Sequence, residues 1–173
     1  MKKIIEKEVV TLDEFSEEEQ QKIYENNPNF NEDIIQLMNN EMTDILYAFM
    51  NDYGVELSKW NVDEDDYDFT FDYDNIYNTL NRKGLRAFIS EKYKEVQGYI
   101  TTYADNHLID GIKEYLESNE DTDFITLMKK CLDRFFSSWQ KGIQFYKSFE
   151  SFKADCISNE IYFDVITKQS VML

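Results

Sequence analysis

The spacing of apolar and polar residues changes period several times along this chain, and each change marks an element. Residues 3–12 are rich in β-branched side chains and alternate imperfectly, which predicts a strand. Ser16-Glu17-Glu18-Glu19 then reads as a capping box opening a short helix to about residue 24. Three acids in its first turn suit the helix dipole. Asn26-Asn27-Pro28-Asn29 ends it. Ile34, Met38, Met42, Ile45, Phe49 and Tyr53 recur at steps of 4, 4, 3, 4 and 4, the stripe of a second helix, widened by Leu46 and Met50. Gly54 follows where a left-handed C-terminal cap is wanted.

The period then falls to two. Residues 55–62 read as a strand. Behind them comes Asp63-Glu64-Asp65-Asp66-Tyr67-Asp68-Phe69-Thr70-Phe71-Asp72-Tyr73-Asp74, with seven acids and no base in twelve residues. From Asp66 onward Asp66, Asp68, Thr70, Asp72 and Asp74 share one parity, and Tyr67, Phe69, Phe71 and Tyr73 the other. Such alternation predicts a second strand, over about residues 66–73, with an aromatic face on the core and carboxylates in water. A hairpin over 55–74 is expected, without the Asn-Gly or Asp-Gly of the tightest turns.

Helical spacing returns after residue 74. Residues 75–118 are expected to be mostly helical, with breaks near Gly84 and around Asp105-Asn106. Phe88, Tyr93, Val96, Ile100 and Tyr103 supply one apolar side; Leu108, Ile109, Ile112, Tyr115 and Leu116 supply another. One long helix is predicted over about 123–152, with Phe124, Met128, Cys131, Phe135, Trp139, Gly142, Tyr146 and Phe149 on its main stripe. A second row, Leu132, Phe136, Ile143 and Phe145, makes it apolar over much of its girth. Residues 160–166 end the pattern as a strand, followed by a turn at Lys168-Gln169. The expected architecture is one α+β domain over 1–173. It has a small antiparallel or mixed sheet of N-terminal strand, 55–74 hairpin and C-terminal strand, and a helical lobe over about 84–152.

Composition changes this picture in two ways. At 173 residues the chain is long enough for a proper core, and 42% apolar with 16% aromatic residues excludes general disorder. The net charge of −17 is unevenly placed: residues 1–74 hold 21 acids and 5 bases, and the remainder 14 acids and 13 bases. Such a field repels nucleic acid and anionic membranes and attracts basic surfaces. Two lone cysteines, no apolar leader and no apolar run of membrane-spanning length point to the cytoplasm.

Two segments carry a resemblance. Val9-Val10-Thr11-Leu12-Asp13-Glu14-Phe15-Ser16-Glu17-Glu18-Glu19-Gln20-Gln21-Lys22 resembles the opening of a set of small phage- and plasmid-associated bacterial proteins, in which a strand precedes F-x-E-L-S-E-E-A-Q-x-K and a helix. Asn159-Glu160-Ile161-Tyr162-Phe163-Asp164 resembles their closing N-E-Y-x-F-T. The resemblance covers these two end segments plus the order of elements between them. Glu19 stands where that motif has alanine, and the acidic aromatic stretch stands where it has a Gly-rich polar hairpin. The resemblance implies a fold and a mobile-element setting. It implies no catalytic residue, although some such proteins are loosely labelled antitoxins.

Candidate chemistry is sparse. Asp63 onward lacks the glycine an EF-hand loop needs at its sixth position, where Asp68 stands. Neighbouring same-face acids on a strand lie roughly 6.6–6.8 Å apart, too far for two of them to chelate one ion. His107 is the single histidine, to be weighed with Cys131 or Cys156 as a dyad, but Cys131 sits on an apolar stripe, where a buried structural thiol is expected. There is no G-x-S-x-G, P-loop or G-x-G-x-x-G. Arg82, Lys83 and Arg86 form the compact basic cluster, expected to serve in ion pairing rather than nucleic-acid contact.

The expectation is a protein without enzymatic activity or cofactor that binds other proteins through Asp63, Glu64, Asp65, Asp66, Asp68, Asp72 and Asp74. A twisted strand spaces carboxylates comparably with successive phosphates. The expected partner is therefore a basic nucleic-acid-handling protein, such as a defence nuclease of the CRISPR or restriction type, blocked by DNA mimicry. Neither nucleic acid nor membrane is an expected direct partner, and a homo-oligomer is compatible with the pattern. The alternatives are an antitoxin-like neutraliser of a basic toxin and an acidic structural protein.

Overall fold

The computed structural model describes residues 8–71, 79–97, 107–118 and 121–171. The protein is α+β, with six α-helices and small antiparallel sheets among the described residues. The chain forms two compact units, residues 1–36 with 144–173 and residues 37–143. Within the first are β1 (Val9–Thr11), a 3-10 turn (Leu12–Glu14) and α1 (Glu17–Glu25). The chain continues through α2 (Glu32–Tyr53), β2 (Leu57–Val62), β3 (Tyr67–Phe71), α3 (Arg82–Gln97) and α4 (His107–Glu117). It closes with α5 (Phe124–Tyr146), α6 (Phe149–Ser158), β4 (Tyr162–Asp164) and β5 (Ser170–Val171). Helices α2 and α5 contribute residues to both units.

The terminal unit is built on an antiparallel sheet in the order β1-β4-β5, with Val10 opposite Phe163 and Phe163 opposite Ser170. The capping box forms: the Ser16 hydroxyl accepts the Glu19 amide, and the Glu19 carboxylate accepts the Ser16 amide. Leu12, Phe15, Ile23, Phe152, Cys156 and Phe163 make its core. Edge-on ring pairs lock it, Phe30 on Phe152 at 4.5 Å and Phe15 on Phe163 at 6.4 Å. Asn31 takes a positive φ of 64° and its side-chain amide donates to the Tyr146 carbonyl and the Ser151 hydroxyl.

One long helix over 123–152 was the expectation; two helices are found. The carbonyl-rich end of α5 stops at Tyr146, and Ser148 leaves helical geometry at φ −79°, ψ 155° to cap α6 by accepting the Ser151 amide. Phe145, expected in an apolar row, is 59% exposed. The sheet is likewise divided: among the described residues β2 and β3 pair only with each other.

The second unit is organised around α5, whose Phe124, Leu127, Met128, Cys131, Leu132, Phe135, Phe136, Trp139 and Ile143 are all buried. Close approach is needed on two sides. A Cβ on Gly111 of α4 would stand 2.6 Å from the Cys131 sulfur, and one on Gly142 would stand 2.8 Å from the Met38 sulfur. Trp139 Nε1 donates to the Asn39 side chain at 2.7 Å, tying α5 to α2. Of the expected α2 stripe Met42, Phe49 and Tyr53 are buried together with Leu46 from its widening, whereas Ile45 is only half-buried and Ile34 is exposed. Gly54 has φ 62°, and the Val55 amide reaches the Met50 carbonyl, so the left-handed cap is present. The break expected near Gly84 falls at Leu80-Asn81: α3 begins at Arg82, and Asn81 caps it by accepting the Gly84 amide. Among its described side chains Leu85 and Ile89 are buried, and Phe88 and Tyr93 are half-buried. The break expected at Asp105-Asn106 lies outside the described residues, as does the strand expected before residue 8.

Candidate functional site, an acidic turn beside a polar groove

The hairpin pairs Val62 with Tyr67, Trp60 with Phe69 and Leu57 with Phe71. A bulge between Leu57 and Lys59 inserts Ser58. That extra residue puts Leu57, Trp60 and Val62 on one face although Leu57 and Trp60 are three apart, and leaves Ser58, Lys59 and Asn61 exposed. On β3 the alternation holds: Tyr67 and Phe69 are half-buried, and Asp68 and Thr70 are exposed. The inner face is aromatic and sits on Phe136 of α5. Tyr67 and Phe69 stack on that ring at 6.0 Å and 5.2 Å, and Trp60 lies 6.1 Å from it. Trp60 also meets Trp139 at 5.5 Å. Each such ring pair stabilises by about 0.5–1.5 kcal/mol beyond area burial.

The acids are arranged differently from the expected ladder. β3 begins at Tyr67, so Asp66 joins the expected connector Asp63-Glu64-Asp65 in a four-residue turn instead of opening the strand. Asp63 organises it. Its Oδ1 accepts the amides of Asp65 and Asp66, both at 2.9 Å, and its own amide donates to the Asp66 carbonyl at 3.0 Å. The side-chain amide of Asn61 donates to the other Asp63 oxygen at 3.4 Å. The Asp63 carboxylate is thus spent on the turn. Asp66 Oδ1 accepts the Tyr67 amide at 2.8 Å. Gln140 of α5 donates to the Glu64 carbonyl at 3.5 Å, so the turn is tethered to the same helix as the rings. Glu64, Asp65, Asp66 and Asp68 are exposed. On the outer face Asp68 stands opposite Asn61 and Thr70 opposite Lys59, a cation within the expected carboxylate row. Asp72 and Asp74 lie outside the described residues.

The acids of α2 add Glu41, Asp44 and Asp52 to the exposed surface of the same unit, and Glu17, Glu18, Glu25 and Glu32 are exposed in the terminal unit. Two of the three bases in the cluster have contacts within the fold, while Lys83 is exposed. Arg82 stands 3.8 Å from Asp121, and Arg86 donates to the Leu116 carbonyl with its guanidinium 5.4 Å from the Tyr115 ring centre. It closes the C-terminal end of α4 rather than presenting a phosphate site.

Beside the hairpin lies an open groove of about 530 Å³. Tyr67 lines it from β3, Asp110 and Glu114 from α4, and Asp133, Arg134 and Lys141 from α5; His107, the first residue of α4, lies at it too. Arg134 is taken by Glu114 at 2.7 Å, which holds that carboxyl below its ordinary range. Burial pushes the Asp133 carboxyl up, and Lys129 one turn earlier offsets this only in part. The Tyr67 hydroxyl is raised by burial and then by Asp133 and Asp66. The sequence carried a signal for this groove: Asp133, Ser137 and Lys141 repeat every four residues, a polar stripe on an otherwise apolar helix.

The thiols are not activated nucleophiles. Cys131 and Cys156 are buried, and burial pushes both up to about 12. Among the described residues no group of three or more His, Cys, Asp or Glu is placed to hold a metal ion, and no helix is long and apolar enough to cross a membrane. Comparison with family models, curated proteins and solved structures finds no match.

Proposed function

We propose that this protein is a non-enzymatic, acidic protein-binding inhibitor. It docks its acidic turn into the basic nucleic-acid channel of a DNA-handling protein, as a DNA mimic. The observation that carries this reading is the turn itself. Glu64, Asp65, Asp66 and Asp68 stand in water on a hairpin whose other face is stacked on Phe136. Carboxylates held in place meet a preformed cationic channel without the ordering cost of a flexible acidic tail. The unequal charge of the two halves supports the same reading, because residues 1–74 carry nearly all of the net −17. The resemblance of residues 9–22 and 159–164 to phage- and plasmid-associated proteins supports a mobile element as the setting and a host defence enzyme, such as a nuclease, as the target class.

The test is affinity capture from a bacterial host lysate at low and high salt, repeated with Asp66→Lys, Asp68→Lys and Asp72→Lys combined. A basic, nucleic-acid-handling partner released by salt and lost in the triple variant supports the reading. Unchanged inhibition of that partner by the triple variant sinks it. A toxin encoded beside this gene and neutralised by it would replace it with the antitoxin reading.

A further inference from the structure

Helix α2 carries five acids and no base in its 22 residues. Met42, Leu46, Phe49 and Tyr53 turn one side of it to the core. On the opposite side Leu37, Asn40, Asp44, Tyr47 and Asn51 follow at steps of 3, 4, 3 and 4. All five are exposed, and all lie in the second unit. We propose that this stripe seats a cationic amphipathic helix of the protein that the acidic turn engages. The inference rests on the protein-binding reading above and adds a second contact of a different kind.

Two independent features of the stripe point to such an occupant. The first is apolar. Leu37 is 61% exposed and Tyr47 is 51% exposed, so half or more of each stays in water. Alanine, lysine or glutamate would fill a solvent-facing helix position without that cost, and tyrosine is a poorer helix former than any of them. Ten residues separate the two, roughly 15 Å along the axis, which matches apolar residues about ten positions apart on a helix laid alongside. The second feature is charge. Asp44 stands between them on the stripe and Glu41 at its border, and neither has an ion-pair partner among the described residues. A helix that brings arginine or lysine between two apolar residues answers both features at once.

Charge also decides against other occupants. A second copy pairing through the same stripe, in either direction, sets acids against acids on helices that hold no cation, and each copy carries −17. Nucleic acid and anionic lipid meet the same repulsion. Side chains at steps of 3 and 4 form a ridge that settles into the groove of another helix, so a helix fits better than a strand. The turn supplies attraction at a distance. Leu37 and Tyr47 supply the desolvated area that holds the complex, and tyrosine often dominates such contacts.

The experiment is an NMR titration of the isotope-labelled full chain at low salt with three blocked peptides. One is a helix former with leucine and arginine on one face; one is a scrambled sequence of the same residues; one has glutamate in place of the arginines. It is run on wild type, Asp44→Asn, Leu37→Ser with Tyr47→Ser, and Asp66→Asn with Asp68→Asn. These positions are all exposed, and circular dichroism verifies that each variant is folded. The amphipathic arginine peptide should move the Leu37, Asn40, Asp44, Tyr47 and Asn51 amide signals in wild type and in the turn variant alike. Its affinity should be about tenfold weaker in Asp44→Asn, the loss of one charge-assisted contact, and weaker by at least about as much in the Leu37 and Tyr47 pair. The glutamate peptide should not bind. Equal binding of the scrambled peptide overturns the helical seat in favour of general acidity. Shifts confined to residues 63–68, or no shifts at α2 with any peptide, overturn it and leave the acidic turn standing. A dimer in sedimentation that Leu37→Ser with Tyr47→Ser dissolves overturns it in favour of a second copy. The lysate capture with the turn variant uses none of these substitutions in α2, so the two readings fail separately.

Discussion

The turn at Asp63 and the turn at Asp164 each join two antiparallel strands, and each uses the same device. One carboxylate oxygen accepts the amides two and three residues on: Asp65 and Asp66, both at 2.9 Å, in the first, and Ile166 and Thr167, at 2.9 and 2.7 Å, in the second. Their surroundings are opposite. Asp164 is 5% exposed, and Lys168, at φ 59°, reaches from its turn to Glu19 at 2.8 Å and over the Phe15 ring at 4.2 Å. Its charges are answered within the fold. The Asp63 turn stands in water with Glu64, Asp65 and Asp66 beside it. The same local chemistry makes a staple in one place and a charged display in the other, and what decides is whether neighbouring residues bring a cation and a core.

The strongest test of that contrast removes the floor of the display. Phe136→Ala takes the ring from under Tyr67, Phe69 and Trp60 and should cost about 3–5 kcal/mol in chemical denaturation, with loss of the near-ultraviolet aromatic signal. A cost below about 1 kcal/mol would mean the hairpin is held otherwise. The next test compares the two aspartates directly. Asp164→Ala strands two amides in a partly buried turn and should cost about 1–3 kcal/mol. Asp63→Ala strands two amides that water can reach and should cost about 0.5–1.5 kcal/mol. Equal costs in urea melts would break the distinction between staple and display.

Acid titration sharpens it further. Hydrogen bonds from Lys168 and Ser16 hold the Glu19 carboxyl at about 2, against an ordinary 4.5. The folded value is depressed, so the bonds stabilise the fold above about pH 4.5, and that contribution fades as pH falls toward 2. Glu19→Gln should flatten this limb of the stability curve relative to wild type, followed by urea midpoints across that range. An unchanged slope would remove Glu19 from the staple. The smallest stability effect belongs to the display. Asp66→Asn with Asp68→Asn should alter stability by no more than about 0.5 kcal/mol, because like charges are being removed from a solvated surface. A loss of several kcal/mol would make these acids structural.

Local signals on the chain were legible without the fold. The Ser16 box, the left-handed cap at Gly54 and the parity of Asp68 and Thr70 against Tyr67 and Phe69 depend on residues within a few positions of one another. Steric limits and hydrogen-bond reach act at that range, so these features follow from the sequence itself. The α+β class follows from the same periods. The Ser148 cap is also local, but the apolar stripe runs through it from Tyr146 to Phe149, and periodicity alone joins what that serine separates.

Pairing and packing needed the tertiary structure. Nothing near the hairpin in sequence says that its strands form a sheet of their own among the described residues, or that one phenylalanine on α5 underlies three of their rings. The consumption of Asp63 by its own turn depends on the loop closing at four residues, which the bulge and cross-strand register set together. The groove joins Tyr67 to side chains forty or more residues away. Composition determined that this protein carries a large negative charge in its first half. Only folding decided which carboxylates stay in water and which are answered, because that depends on partners brought from distant parts of the chain.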